Sequence, residues 1–137
     1  MSSGGRNLAA KALVFATIAE MATGVVAIVD PALLVVLLLG VELPGAGIAV
    51  ARCFGIALVA LALACWPPRE PGAAGQAVRA MLFYNCSIAT FLGWLGAGAH
   101  MTGMLLWPAV VLHAIVALAL AASPSGRAME NGHNLTP

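Results

Sequence analysis

The chain has 137 residues, of which 62% are hydrophobic and only 8% are charged, and its net charge is +1. Soluble domains carry about 25% charged residues, so this chain has too few charges to coat a soluble globule. The near-neutral charge also argues against nucleic-acid binding, which needs a strongly basic face. Because several apolar runs approach the roughly 20 residues that cross a bilayer, the sequence predicts an all-α polytopic membrane protein.

The N-terminal part is predicted to hold one span and a shorter apolar segment. A flexible lead at 1–7 precedes a transmembrane span at 8–29, which ends at the Asp30-Pro31 turn. The next apolar run, 31–40, is too short to cross a bilayer at about 1.5 Å per residue. We expect it to form an interfacial or half-inserted segment. The alternative is a longer first hairpin whose kinked helix includes it.

Three further spans complete the predicted bundle. They cover about 48–66, 77–97 and 101–122, which gives a four-helix transmembrane domain at 8–122. The polar tail at 123–137 has no hydrophobic periodicity and is predicted to be disordered.

Lys and Arg residues predict the orientation. Arg6, Lys11, Arg69, Arg79 and Arg127 all fall on one side of a four-span arrangement. Cytoplasmic loops carry an excess of these residues, so both termini are predicted to be cytoplasmic. The abundance of Ala, Gly and Pro favours a bacterial source, and hence the bacterial inner membrane.

Each predicted span carries a strongly polar residue within reach of its middle: Glu20, Arg52, Asn85 and His113. Such a residue costs about 2.5 to 3.5 kcal/mol on insertion scales unless it is paired or hydrated, so the four form a candidate functional or structural cluster. Asn85 is expected to form a hydrogen bond between helices, and His113 is expected to be a hydrogen-bonded core residue. Depth along the spans makes a Glu20–Arg52 ion pair feasible.

Glu20 is predicted to point toward other helices. The residues on its helical face are small or hydroxylated: Ala16, Thr17, Thr23, Gly24 and Ala27. The opposite face is apolar and suited to lipid: Val14, Ile18, Val25 and Ile28. Small residues let helices approach closely. Two roles stay open for Glu20, a structural lock with Arg52 and a proton-carrying or ligand-contacting carboxylate.

One short motif raises the question of a metal. The stretch "HMTGM" holds His100, Met101 and Met104, and soft thioether ligands with an imidazole select Cu(I). With His113, these residues support a third hypothesis, a membrane redox or copper accessory protein, and no resident cofactor is predicted. Catalytic triads, phosphate-binding loops and carboxylate pairs at catalytic spacing are not found in the sequence, so a non-enzymatic role is expected.

Two resemblances add to these predictions. The stretches "ARCFGIALVALALACW", "YNCSIATFLGW" and "LLWPAVVLHAIVALAL" look like small four-span bacterial inner-membrane proteins, loosely similar to DoxX-like proteins. That resemblance implies a four-helix bundle and no settled activity. The stretch "TIAEMATGV" resembles the first span of small multidrug-resistance transporters, which implies that Glu20 would exchange protons for cationic drugs. The Arg in the second span and the extra apolar segment depart from the transporter pattern.

The leading functional prediction is an accessory or interaction subunit, or a binder of a small apolar ligand. The alternative is a proton-coupled small-molecule transporter that uses Glu20. The expected partners are the lipid bilayer and, if the protein associates, other membrane subunits or further copies of itself.

Overall fold

The computed structural model describes residues 3–66 and 71–122, and within these ranges all regular structure is helical. The five helices are α1 (Ser3–Val29), α2 (Pro31–Leu39), α3 (Gly45–Ala64), α4 (Pro71–Ala97) and α5 (Leu106–Ala121). Three are long and apolar enough to cross a membrane, over Leu8–Val29, Gly45–Ala64 and Ala74–Ala97. The predicted disordered tail lies outside the described residues.

The first helix begins earlier than predicted. It starts at Ser3, inside the segment predicted as a flexible lead, while its apolar part starts at Leu8 as expected. Extending a helix by a few residues costs little once the helix has formed, because each added residue gains a hydrogen bond. The polar residues before Leu8 therefore continue the span as a helical extension.

The short apolar segment forms a helix of its own, and local signals explain both ends. The Asp30 carboxylate accepts a hydrogen bond from the Leu33 backbone N–H at 3.0 Å, with Pro31 in the first helical turn. At the other end Gly40 adopts φ 72°, the left-handed conformation that closes many helices. The predicted break between α1 and this segment is confirmed.

The last helix begins later than predicted. Residues 98–105 connect α4 to α5, so α5 has 16 residues. The backbone N–H groups of this connection are used elsewhere: Met101 donates to the Leu95 carbonyl at 3.1 Å, and Leu105 donates to the Leu37 carbonyl of α2 at 2.8 Å. Pro108 lies in the first turn of α5, where its missing N–H costs nothing. The fourth predicted span is therefore represented by a shorter apolar helix.

The helices pack mainly as two pairs, α1 with α3 and α4 with α5. In the first pair Gly24 and Gly55 lie at the crossing, where the two backbones are in close contact. The predicted face of α1 is confirmed for Ala16, Thr17 and Ala27, which are buried, and the opposite face is exposed at Val14, Ile18 and Val25. Ile28, predicted to face lipid, is instead half-buried against Gly55. Small residues thus set the distance between α1 and α3.

Two apolar clusters fix the relative directions of the helices. One joins the early parts of α1 and α4 to the late parts of α3 and α5, with Leu13, Cys65, Met81 and Leu120 among its members. The other joins the end of α4 to the start of α5 and to the end of α2. The long helices therefore run alternately up and down, with α2 at the end of the bundle where α1 finishes.

Candidate functional site

Three of the predicted polar residues meet inside the bundle. Glu20 of α1 and Asn85 of α4 are 3% and 1% exposed, and His113 of α5 is half-buried beside them. Each lies near the middle of its helix, so they share one depth. The up-and-down arrangement brings these midpoints together.

Asn85 fixes the orientation of His113. The Asn85 Nδ2 donates to the Met81 carbonyl at 2.8 Å, one turn earlier in α4, which leaves Oδ1 as the acceptor. That Oδ1 lies 2.8 Å from His113 Nδ1, so Nδ1 carries a hydrogen and donates it. In the neutral imidazole Nε2 is then the unprotonated nitrogen. The interhelical hydrogen bond predicted for Asn85 is confirmed, and its partner is His113.

Glu20 pairs with His113. The Glu20 Oε1 lies 3.8 Å from His113 Nδ1, which is ion-pair distance but too long for a hydrogen bond. The Tyr84 side chain also interacts with the Glu20 carboxylate, and its ring meets the His113 ring edge-on with centroids 6.0 Å apart. A carboxyl, an imidazole and a phenol thus converge on one point.

Arg52 is not part of this group. It lies on the exposed side of α3, whereas Gly55 and Leu58 on the neighbouring stripe are buried. Across residues 3–66 and 71–122, the basic side chain found within 4.0 Å of the Glu20 carboxylate is His113, so the predicted pairing of Glu20 with Arg52 does not form. Depth alone allowed that pairing, but the angular position of Arg52 around α3 prevents it.

Tyr84 was not among the predicted site residues, and Thr17 was predicted only as part of the buried face of α1. Tyr84 directly precedes Asn85, and a phenol next to a buried amide in an apolar helix was the available signal. Thr17 is fully buried one turn before Glu20 and bonds the backbone carbonyls of Leu13 and Val14. It therefore fills space beside Glu20 with its own hydroxyl satisfied.

A cavity of about 480 Å³ opens from this polar group. Glu20, Tyr84 and His113 lie among its lining residues, together with Thr23 as a further polar side chain. The remaining lining is apolar and comes from all five helices, for example Leu38 of α2 and Phe54 of α3. Ligand pockets have volumes of roughly 300 to 1,000 Å³, with apolar walls and a few convergent polar groups, and this cavity has those properties.

The three residues of the copper hypothesis, His100, Met101 and Met104, do not share one environment. His100 is exposed with φ 54°, Met104 is 74% exposed, and Met101 packs on the apolar cluster around Leu95 and Leu106. In the part of the chain that the structure describes, no three His, Cys, Asp or Glu side chains are grouped to hold a metal ion. Copper binding by the methionines stays a prediction.

The Glu20–His113 pair has two ways to hold one proton. The proton lies either on the imidazole, giving an ion pair, or on the carboxyl, giving two neutral groups. Both arrangements have no net charge, which matters where uncompensated charge is costly. Chemically, the site is suited to hydrogen bonding and proton exchange at one end of an apolar cavity.

Comparison with protein-family profiles, with curated proteins and with solved structures finds no match for this chain. The resemblances to DoxX-like proteins and to small multidrug-resistance transporters therefore stay predictions.

Proposed function

We propose that the protein is a small non-enzymatic membrane protein that binds a small, largely apolar molecule between its two helix pairs. The observation that carries the proposal is the cavity of about 480 Å³, with apolar walls from all five helices and a polar end formed by Glu20, Tyr84 and His113. A purely structural bundle has no need for such a volume, since protein interiors are normally close-packed.

The membrane arrangement belongs to the same proposal. The protein crosses the bacterial inner membrane four times, with α5 as the fourth span and both termini in the cytoplasm. At about 24 Å, α5 is shorter than a hydrocarbon core of about 30 Å, and a thinner local bilayer accommodates such a helix at modest cost. Lys11 and Arg79 lie near the starts of α1 and α4, which run in the same direction, and this supports a cytoplasmic side there.

The ligand-binding proposal is tested by filling the cavity. Ala109 is a half-buried lining residue of α5, and Ala109→Trp places an indole in the cavity. Ala60→Trp on the exposed side of α3 is the matched control. Solvent extracts of the purified proteins are compared by mass spectrometry. We expect a small molecule in molar amounts with the wild type and with Ala60→Trp, and a large loss with Ala109→Trp.

Equal recovery of the same molecule from Ala109→Trp would refute binding in this cavity. If no small molecule is recovered from any of the three proteins, addition of decane or decanol to nanodiscs replaces the extraction. The proposal then fails if neither probe stabilises the wild type against thermal unfolding more than it stabilises Ala109→Trp.

Proton-coupled transport is the alternative, and one observation favours it: Glu20 lines the cavity and pairs with a titratable imidazole. In that case Glu20→Gln abolishes substrate-driven proton movement in proteoliposomes while the amount of protein in the membrane stays normal. Unchanged proton movement with Glu20→Gln would eliminate this alternative.

A further inference from the structure

The cavity opens on the side of the bundle. Five of its lining residues are exposed, and we call them the mouth: Phe54, Phe91, Leu105, Pro108 and Leu112. All five are apolar. Phe54 and Phe91 lie within the candidate membrane spans of α3 and α4. A mouth of apolar side chains at this position faces acyl chains and not water.

The polar end of the cavity lies behind the mouth. Glu20 is 3% exposed, and the His113 side chain is 15% exposed. A molecule that reaches them from the bilayer has to pass the mouth with its polar group leading. Water-soluble ions would pay for desolvation along this route, whereas a molecule already dissolved in lipid would not.

The Glu20–His113 pair has no net charge when it holds one proton, either on the imidazole or on the carboxyl. Arg52, the nearest cation predicted for this site, is on the exposed side of α3. A cationic ligand would leave a net positive charge unless that proton departs. A neutral ligand leaves the balance unchanged, which is the cheaper outcome in a low-dielectric site.

The two proton arrangements also select the kind of polar group. With the imidazole neutral, Nε2 accepts a hydrogen bond, because Nδ1 donates to Asn85. With the imidazole protonated, Nε2 donates and the Glu20 carboxylate accepts. A hydroxyl group both donates and accepts, so it satisfies the site in either arrangement. A polar group that only accepts hydrogen bonds, or only donates them, leaves one of the two proton arrangements with an unsatisfied partner.

We propose that the ligand is a neutral lipid-soluble alcohol that enters sideways from the bilayer and hydrogen-bonds to Glu20 and His113. The proposal rests on the ligand-binding function above and specifies its ligand class. It is tested with full-length protein in nanodiscs and three probes of the same chain length: decanol, decane and decylamine.

Binding is followed by ¹⁵N NMR of the His113 ring and by thermal unfolding, and proton release is followed with a pH dye in weak buffer. Decanol is expected to bind roughly tenfold more tightly than decane, the gain from about one net hydrogen bond. It should shift the His113 ring signals without releasing a proton. Ala109→Trp should abolish the shift, and Ala60→Trp should leave it.

Other outcomes distinguish failure of the alcohol proposal from failure of the ligand-binding function on which it rests. If decane binds as tightly as decanol, or decylamine binds most tightly with release of about one proton per molecule, the alcohol proposal is overturned while the cavity remains a ligand site. If no probe binds, the ligand-binding function itself fails.

The route of entry is tested by spin labels in a variant whose three cysteines are replaced. A label at Leu112 in the mouth is compared with one at Ile115, which is 59% exposed on α5. Both should collide freely with oxygen, which dissolves in lipid, and poorly with a water-soluble nickel chelate. Strong nickel collision at 112 alone would show a water-filled mouth and overturn entry from the bilayer.

Discussion

Gly24 and Gly55 face each other where α1 crosses α3, each with its carbonyl oxygen against the place where the other would carry a Cβ atom. A Cβ on Gly24 would lie 2.8 Å from the Gly55 oxygen, and one on Gly55 would lie 2.7 Å from the Gly24 oxygen. Both atoms that would be struck belong to backbone, so a side chain at either position has to push the helices apart.

The first prediction follows from this crossing. Gly55→Ala should destabilise the protein by about 1 to 3 kcal/mol, the usual cost of overpacking. Reversible unfolding in mixed micelles measures the loss. Gly45→Ala, at the start of the same helix where nothing lies within 4 Å of the added Cβ, is the control and should be tolerated. Equal stability of both variants would contradict the close crossing.

The second prediction concerns the tautomer of His113. Because Asn85 Oδ1 accepts from Nδ1, the wild-type imidazole should be protonated at Nδ1 when neutral. Asn85→Ala removes that acceptor, and we expect the ¹⁵N spectrum of His113 to change toward the Nε2-protonated form. The stability loss should be about 0.6 to 1.7 kcal/mol, as measured for hydrogen bonds between membrane helices. Thr90→Ala, which removes a bond to the helix's own Cys86 carbonyl, should leave the spectrum unchanged.

A third prediction separates Arg52 from Glu20. Since Arg52 is exposed and Glu20 pairs with His113, Arg52→Gln should change the free energy of unfolding by no more than about 0.5 kcal/mol. His113→Ala, by contrast, leaves Glu20 without its partner and should destabilise measurably. A double-mutant cycle gives the test: a coupling energy between Glu20 and Arg52 as large as that between Glu20 and His113 would restore the lock first expected between α1 and α3.

The fourth prediction concerns the position of α2. Gly103, in the connection before α5, packs directly on the Leu38 backbone of α2, and the neighbouring Leu105 N–H donates to the Leu37 carbonyl. Gly103→Ala has no room for its methyl group and should displace α2, which forms one wall of the cavity. Decanol binding should weaken. Gly75→Ala in α4, where nothing lies within 4 Å, should bind normally. Normal binding by both variants would show that α2 is not held by this contact.

The fifth prediction addresses the number of spans. Reporter fusions after Gly75, after His100 and at the C-terminus should report cytoplasm, periplasm and cytoplasm in turn. The first result requires that α2 does not cross the membrane. The third requires that α5 does, although it has only 16 residues. Periplasmic reporters at both His100 and the C-terminus would refute the fourth span.

The composition and run lengths were sufficient to predict an all-helical membrane protein and the break at Asp30. Helical periodicity also identified the buried face of α1, because residues three and four apart share a face whatever the neighbouring helix is. Helix ends were harder to predict. The start of α5 depends on where the N–H of Leu105 finds an acceptor, and that acceptor, the Leu37 carbonyl, belongs to another helix.

The sequence was sufficient to identify the polar residues inside the bundle, but not to predict which of them are in contact. Apolar surroundings identified Glu20, Asn85 and His113 one by one. Which of them meet depends on the angle of each helix about its axis and on the order of helices around the bundle. On α3, Gly55 and Leu58 are buried because they pack against α1, and this sets the rotation of α3 that leaves Arg52 exposed. That rotation can be recognised only when the contact of Gly55 with Gly24 is known.

The spacing of Glu20, Asn85 and His113 along the chain has a consequence for biosynthesis. The chain is made from its N-terminus, so α1 carries its carboxylate toward the bilayer well before α4 and α5 leave the ribosome. During that interval the apolar α2 and the glycine crossing with α3 are the contacts available to it. α5, the last helix in the described part of the chain, brings the imidazole that completes the pair, so the N-terminal half of the protein must retain an unmatched acid until α5 has been synthesised.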